Sequence, residues 1–76
     1  MSTVKFKYDN DIFEVDESLI PIDSLLDIMS RNKQTDVIYS SDPHTPYIIW
    51  YIQNRPIISD PYTLTVLDYW SVYRSY

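Results

Sequence analysis

The 76-residue chain contains neither cysteine nor glycine. Without cysteine there is no disulfide, no thiolate zinc site and no thiol redox chemistry. Average glycine usage of about 7% would supply roughly five in a chain this long. Their absence excludes the glycine-dependent phosphate cradles of P-loop and Rossmann type. Long apolar runs are missing too. No stretch approaches the ~20 residues of a membrane span, and no signal peptide opens the chain. The expectation is an intracellular protein, cytoplasmic or nuclear, with no membrane insertion and no cofactor.

What is present suits contact with other proteins. Hydrophobic residues make up 45% of the sequence, enough for a folded domain. Residues 1–76 read as a single domain, too small to enclose a large core, and such chains commonly lean on a partner subunit. The net charge of −5 and pI near 4.4 argue against nucleic acid and anionic membranes. Aromatics reach 16%, with eight tyrosines and two tryptophans. Both residue types bury area while keeping a polar edge wet, which serves an interface as well as a core.

Val4-Lys5-Phe6-Lys7-Tyr8 alternates apolar and charged residues, the period-2 pattern of a half-buried strand. Asp9-Asn10-Asp11 supplies turn residues that tolerate left-handed backbone, and Ile12-Phe13-Glu14-Val15 resumes the alternation with Phe13 and Val15 on one face. A β-hairpin follows, with Lys5 and Lys7 read as edge protection. Asp16-Glu17-Ser18 precedes one helical turn ending at Pro21. Ile22, Leu25, Leu26 and Met29 then form an amphipathic stripe, with Asp23 and Asp27 early in the helix and Arg31 and Lys33 late. Val37-Ile38-Tyr39 predicts a third strand.

Two cap-then-proline signals follow. Thr45-Pro46 opens a helix in which Tyr47-Ile48-Ile49-Trp50-Tyr51-Ile52 is apolar all round, ending at Arg55-Pro56. A helix of that kind is enclosed on every side, more than this chain can do alone. Asp60-Pro61 opens the last helix, whose stripe runs through Tyr62, Val66, Tyr69, Trp70 and Tyr73, with Leu64 and Val72 leaving a second apolar side. The expected architecture is α/β in the broad sense (α+β): a short three-stranded sheet with a hairpin, packed with about four helices.

Catalytic chemistry finds little footing. His44, alone beside two prolines, reads as a loop residue rather than a ligand or base. Asp9, Asp11, Asp16, Glu17 and Asp23 fall in turns and first helical turns, where capping explains them. Nothing in the spacing selects Asp60 with Asp68, or Asp36 with Asp42, as an acid–base pair, and the serines lack a histidine–carboxylate pattern. The chain reads as a non-enzyme without metal.

The run from Phe13 to Val72 resembles a BTB/POZ domain of the potassium-channel tetramerisation type. The motifs are Phe13 in the hairpin, Leu19, Pro21, Asp23-Ser24-Leu25-Leu26 and Met29, the Asp42-Pro43 after an aromatic strand, Ile48-Ile49-Trp50-Tyr51-Ile52-Gln53, and Asp68-Tyr69-Trp70-Ser71-Val72. The hairpin is also similar, more distantly, to the elongin and Skp-type cullin adaptors. The sequence departs from the family at the glycines of the first hairpin and after the enclosed helix. Asp9-Asn10 and Asn54-Arg55 stand there and predict substituted turn geometry. Ser41 replaces the arginine before Asp-Pro, and the missing cysteines exclude the zinc bridge some relatives use between subunits.

The resemblance implies an interaction domain that self-associates into a ring of about four or five copies, with a cullin of a ubiquitin ligase as a further partner. Asp42, Tyr51, Gln53 and Tyr62 are the interface candidates, with Tyr51 and Tyr62 equally readable as core. The alternatives are a monomeric elongin- or Skp-like adaptor, or a stand-alone decoy that binds host BTB or cullin proteins. Whether the chain is an excised domain or a minimal protein stays open.

Overall fold

The computed structural model describes residues 2–32 and 35–72. Its first two strands, β1 (Thr3–Tyr8) and β2 (Asp11–Asp16), form the predicted hairpin, slightly longer at both ends than the alternation alone suggests. Tyr8 pairs with Asp11 across a two-residue loop, and Asp9 adopts the left-handed conformation at φ 56°. Aspartate occupies that region at lower cost than most residues, so the turn closes without glycine. The ladder continues past the strands, where the Glu17 N–H donates to Ser2 O at 3.1 Å.

A third strand, β3 (Val37–Tyr39), lies parallel to β1 on the side away from β2, giving the order β2-β1-β3. Val4, Phe6, Val15 and Ile38 turn inward and are buried. Lys5 and Lys7 lie on the opposite face of β1, which is the central strand. They therefore guard no edge. Lys7 instead sits over the Tyr39 ring of the neighbouring strand at 5.8 Å, and Lys5 pairs in register with Glu14.

The connection from β2 to β3 passes through a 3₁₀ turn at Glu17–Leu19 and helix α1 (Leu25–Arg31). The Asp16 carboxylate caps the 3₁₀ turn, accepting from the Ser18 N–H at 2.9 Å and hydroxyl at 2.8 Å. Ile22 and Asp23 were expected inside the following helix, but it starts later. Asp23 is left-handed at φ 66° and Ile22 is 77% exposed. The cause is local capping: Ser24 Oγ accepts from the Asp27 N–H at 3.1 Å while the Asp27 carboxylate accepts from the Asp23 N–H at 2.9 Å. Arg31 then reaches both Asp23 and Asp27 at 3.2 Å. Lys33 lies outside the described residues.

Helix α2 (Thr45–Asn54) and helix α3 (Pro61–Tyr69) complete the fold. Thr45 is the first residue of α2 rather than its cap, buried with its hydroxyl 2.6 Å from the Ser40 hydroxyl. The helix is not enclosed all round either. Ile48, Ile49, Tyr51 and Ile52 are buried, whereas Trp50 and Gln53 face solvent. Arg55 ends it in the left-handed conformation at φ 47°, a turn geometry that glycine commonly supplies.

α3 presents a different stripe from the one its aromatics suggest. Leu67 and Trp70 are buried, while Tyr62 and Tyr69 are 69% and 73% exposed; Tyr73 lies outside the described residues. Val72, expected on a second apolar side, is buried after the helix has ended. Ser71 turns left-handed at φ 58°, its N–H donating to Asp68 O at 2.9 Å and that of Val72 to Leu67 O at 3.1 Å. This is a Schellman turn, which folds Val72 back onto Leu67.

The result is an α+β fold: among the described residues a three-stranded mixed sheet packed on one face with three α-helices, slightly fewer helices than the about four expected. Because Ser71 is exposed and its backbone is left-handed, Ser71→Gly should relieve the left-handed strain. A gain of about 0.5–1 kcal/mol is expected, read as a Tm increase of about 2–8 °C. Ser71→Val should lower Tm instead, because β-branching is least tolerant of positive φ.

Candidate functional site

A proline lies in the first turn of both α2 and α3, and a side-chain cap holds the start of α3. Ahead of α2, the Asp42 carboxylate accepts from the His44 N–H at 2.8 Å and lies 3.1 Å from His44 Nδ1. Ahead of α3, the Asp60 carboxylate accepts from the Thr63 N–H at 2.8 Å and its hydroxyl at 2.7 Å. These bonds, the hydroxyl first, hold the Asp60 carboxyl below its ordinary value. Asp16 is lowered in the same way, mainly by the Ser18 N–H.

The two helices run side by side in the same direction. At their C-terminal ends, the Arg55 guanidinium donates to Val72 O at 3.1 Å. At their N-terminal ends, His44 and Tyr47 of α2 share one apolar hollow of about 170 Å³ with Tyr62, Thr63 and Val66 of α3. A second hollow continues past His44 and Val66 to Asp42, Tyr69 and Trp70. A third carries on from Asp42, Tyr69 and Trp70 to Tyr39 and Met29. Together they form one groove along α3, with aromatic walls and the Asp42–His44 pair midway.

Of the four predicted interface residues, the structure brings Asp42 and Tyr62 to this groove. Tyr51 is 6% exposed, in the core, with the Arg55 guanidinium 5.4 Å from its ring centroid. Gln53 stands at the far end of α2, its side-chain amide 3.4 Å from Glu14 O on β2. The groove residues missed in the sequence are Tyr47, His44, Val66 and Tyr69. Val66 and Tyr69 were placed on one stripe with Trp70; Val66 packs against the core while Tyr69 is exposed. The usable signal was Leu67 with Trp70 three residues on, which places the buried stripe one residue round from the tyrosines.

The groove walls carry aromatic rings with hydroxyl edges and a half-buried Asp42–His44 pair. Among the described residues no group of three His, Asp or Glu side chains could hold a metal ion, and no helix is long and apolar enough to cross a membrane. Comparison with protein-family models, with curated proteins and with solved structures returns no match to this chain.

The Asp60 cap gives the stability of the fold a dependence on pH. A carboxyl whose pKa is lower folded than unfolded stabilises the fold above its unfolded value, near 3.8 here, and that contribution is lost as pH falls through the lowered value. Asp60→Asn retains a capping oxygen but cannot titrate. Urea midpoints measured from about pH 5 down to pH 2 should therefore fall more steeply for the wild type than for the variant; parallel curves would remove Asp60 as a contributor.

Proposed function

We propose that the chain is a non-enzymatic protein-interaction domain of the BTB/POZ kind, which self-associates head to tail. The observation that carries this reading is the groove along α3. Tyr62 and Tyr69 stand largely exposed on its rim, where a monomer gains nothing by placing two large rings in water. Tyr39 is exposed in the same groove, while Trp50 and Ile57 are exposed elsewhere on the surface, and exposed apolar side chains gathered in a groove mark an interaction site. The element order of hairpin, helix, strand, helix and helix is also the one the resemblance implies.

A head-to-tail contact joins different faces of successive subunits and closes into a ring when the rotation between them allows; the resemblance favours about four or five copies. Asp42 and Tyr62 belong to the contact in this reading, and Tyr51 and Gln53 support it only from the core and the opposite end of α2. Light scattering at micromolar concentration should give a mass that is a multiple of 9.1 kDa and rises with concentration to a plateau. A monomer at every concentration would contradict self-association. The groove is open along its length, so a monomer retained by a cullin in a pull-down would favour the single-subunit adaptor reading instead.

A further inference from the structure

Strand β2 is an edge of the sheet, paired with β1 on one side and with no other strand among the described residues. Two hydrogen bonds fix which of its backbone groups face outward. The Glu17 N–H bonds to Ser2 O, one step beyond the Thr3–Asp16 pair. Hydrogen-bonded and open pairs alternate along an antiparallel ladder, so Val15, Phe13 and Asp11 bond to β1. The N–H and C=O groups of Ile12, Glu14 and Asp16 then point away from it. Glu14 O agrees with that direction, since it meets the side-chain amide of Gln53 on α2 at 3.4 Å. A carbonyl oxygen has two lone pairs, so a second donor still fits there.

Charged side chains, proline, a bulge or shortness blunt an exposed edge. β2 has no proline and pairs one-to-one with β1 over six residues. Only charge protects it, and that charge has one sign. Phe13 and Val15 turn toward the helices, which leaves Ile12, Glu14 and Asp16 on the open face of the sheet. Ile12 is 59% exposed there. The row beside them on β1 is Lys5 and Lys7. Strands lie about 4.8 Å apart, so a strand added beyond β2 meets the carboxylates directly. The lysines stand about 10 Å from it, roughly a Debye length at 0.1 M salt.

We propose that the β2 edge docks an extended segment of another protein, with basic side chains facing Glu14 and Asp16 and an apolar one facing Ile12. Backbone pairing supplies the contact and the alternating side chains supply the selection. A second copy fits poorly. Two β2 edges joined about a two-fold axis at Glu14 set carboxylate against carboxylate, and like charges directly opposite destabilise a strand pair. The other edge of the sheet, β3, offers only three residues. This contact goes beyond self-association and does not rest on it, because the residues lining the α3 groove come from outside β2.

The blocked hexapeptide Lys-Thr-Lys-Thr-Val-Thr, run antiparallel to β2, sets its lysines opposite Asp16 and Glu14 and its valine opposite Ile12. Titrated against the isotope-labelled protein to millimolar concentration, it should shift the β2 amide signals and slow hydrogen exchange at Ile12 and Glu14. The same peptide with glutamate for lysine should bind at least about tenfold more weakly. Glu14→Lys should bring the two peptides to about equal affinity, since each then meets one like and one opposite charge. Ile12→Pro removes an outward N–H and none of the bonds to β1, and should weaken the lysine peptide about fivefold. The dispersion of the amide spectrum checks that both variants fold. Equal binding of the two peptides to the wild type would overturn the charge selection. No binding, or shifts centred on other acidic residues with exchange at Ile12 and Glu14 unchanged, would overturn the edge as a site. The light-scattering mass decides self-association separately.

Discussion

Much of this domain depends on the turn that ends α3. Ser71 goes left-handed, Val72 folds back onto Leu67, and two carbonyls are left facing the neighbouring helices. Trp70 O accepts from the Leu25 N–H at 3.0 Å, which fixes the start of α1. Val72 O accepts from the Arg55 guanidinium at 3.1 Å, which fixes the end of α2. Carbonyls at a helix end have no partner within the helix and cost stability if buried unpaired. Here the same two groups tie three helices together above the buried Leu67, Trp70 and Val72.

The absence of glycine runs through that junction. Asp9, Asp23, Arg55 and Ser71 all hold positive φ, each at a cost of about 1–2 kcal/mol relative to right-handed backbone. At two of them the side chain offsets the strain in a way glycine could not. Arg55 spans to Val72 O and covers the Tyr51 ring, while Asp23 pairs with Arg31. With α2 and α3 held parallel at their C-terminal ends, their connection must return along α2. That return is what carries Ile57 outward and opens a hollow at the other end of the pair.

Local signals were legible in the sequence. Alternation fixed the hairpin and the inward face of Val4, Phe6 and Val15; proline after an acidic cap marked the start of α3; the left-handed turns at Asp9 and Arg55 fell where glycine was missed. The failures have a common physical cause, which is that helical periodicity does not distinguish which arc of an apolar helix meets the core. On α3 the ring-bearing arc of Tyr62 and Tyr69 was weighed above Leu67, although tyrosine keeps its hydroxyl wet and leucine has no such need. Ile22 was assigned to a helix that Ser24 and Asp27 cap two residues later. Lys5 and Lys7 were read as edge residues because a parallel third strand is a tertiary fact that the hairpin does not encode. The groove depends on how two helices are set relative to each other, so only Asp42 and Tyr62 of the four candidates reached it.

Amide hydrogen exchange at Leu25 tests the junction most directly, because its N–H bonds to Trp70 O across the meeting point of α1 and α3. If that junction holds the helices together, the Leu25 amide should exchange only through global unfolding, as slowly as the amides of the central strand. Exchange of Leu25 by local opening, many times faster than the amide of Phe6, would contradict it.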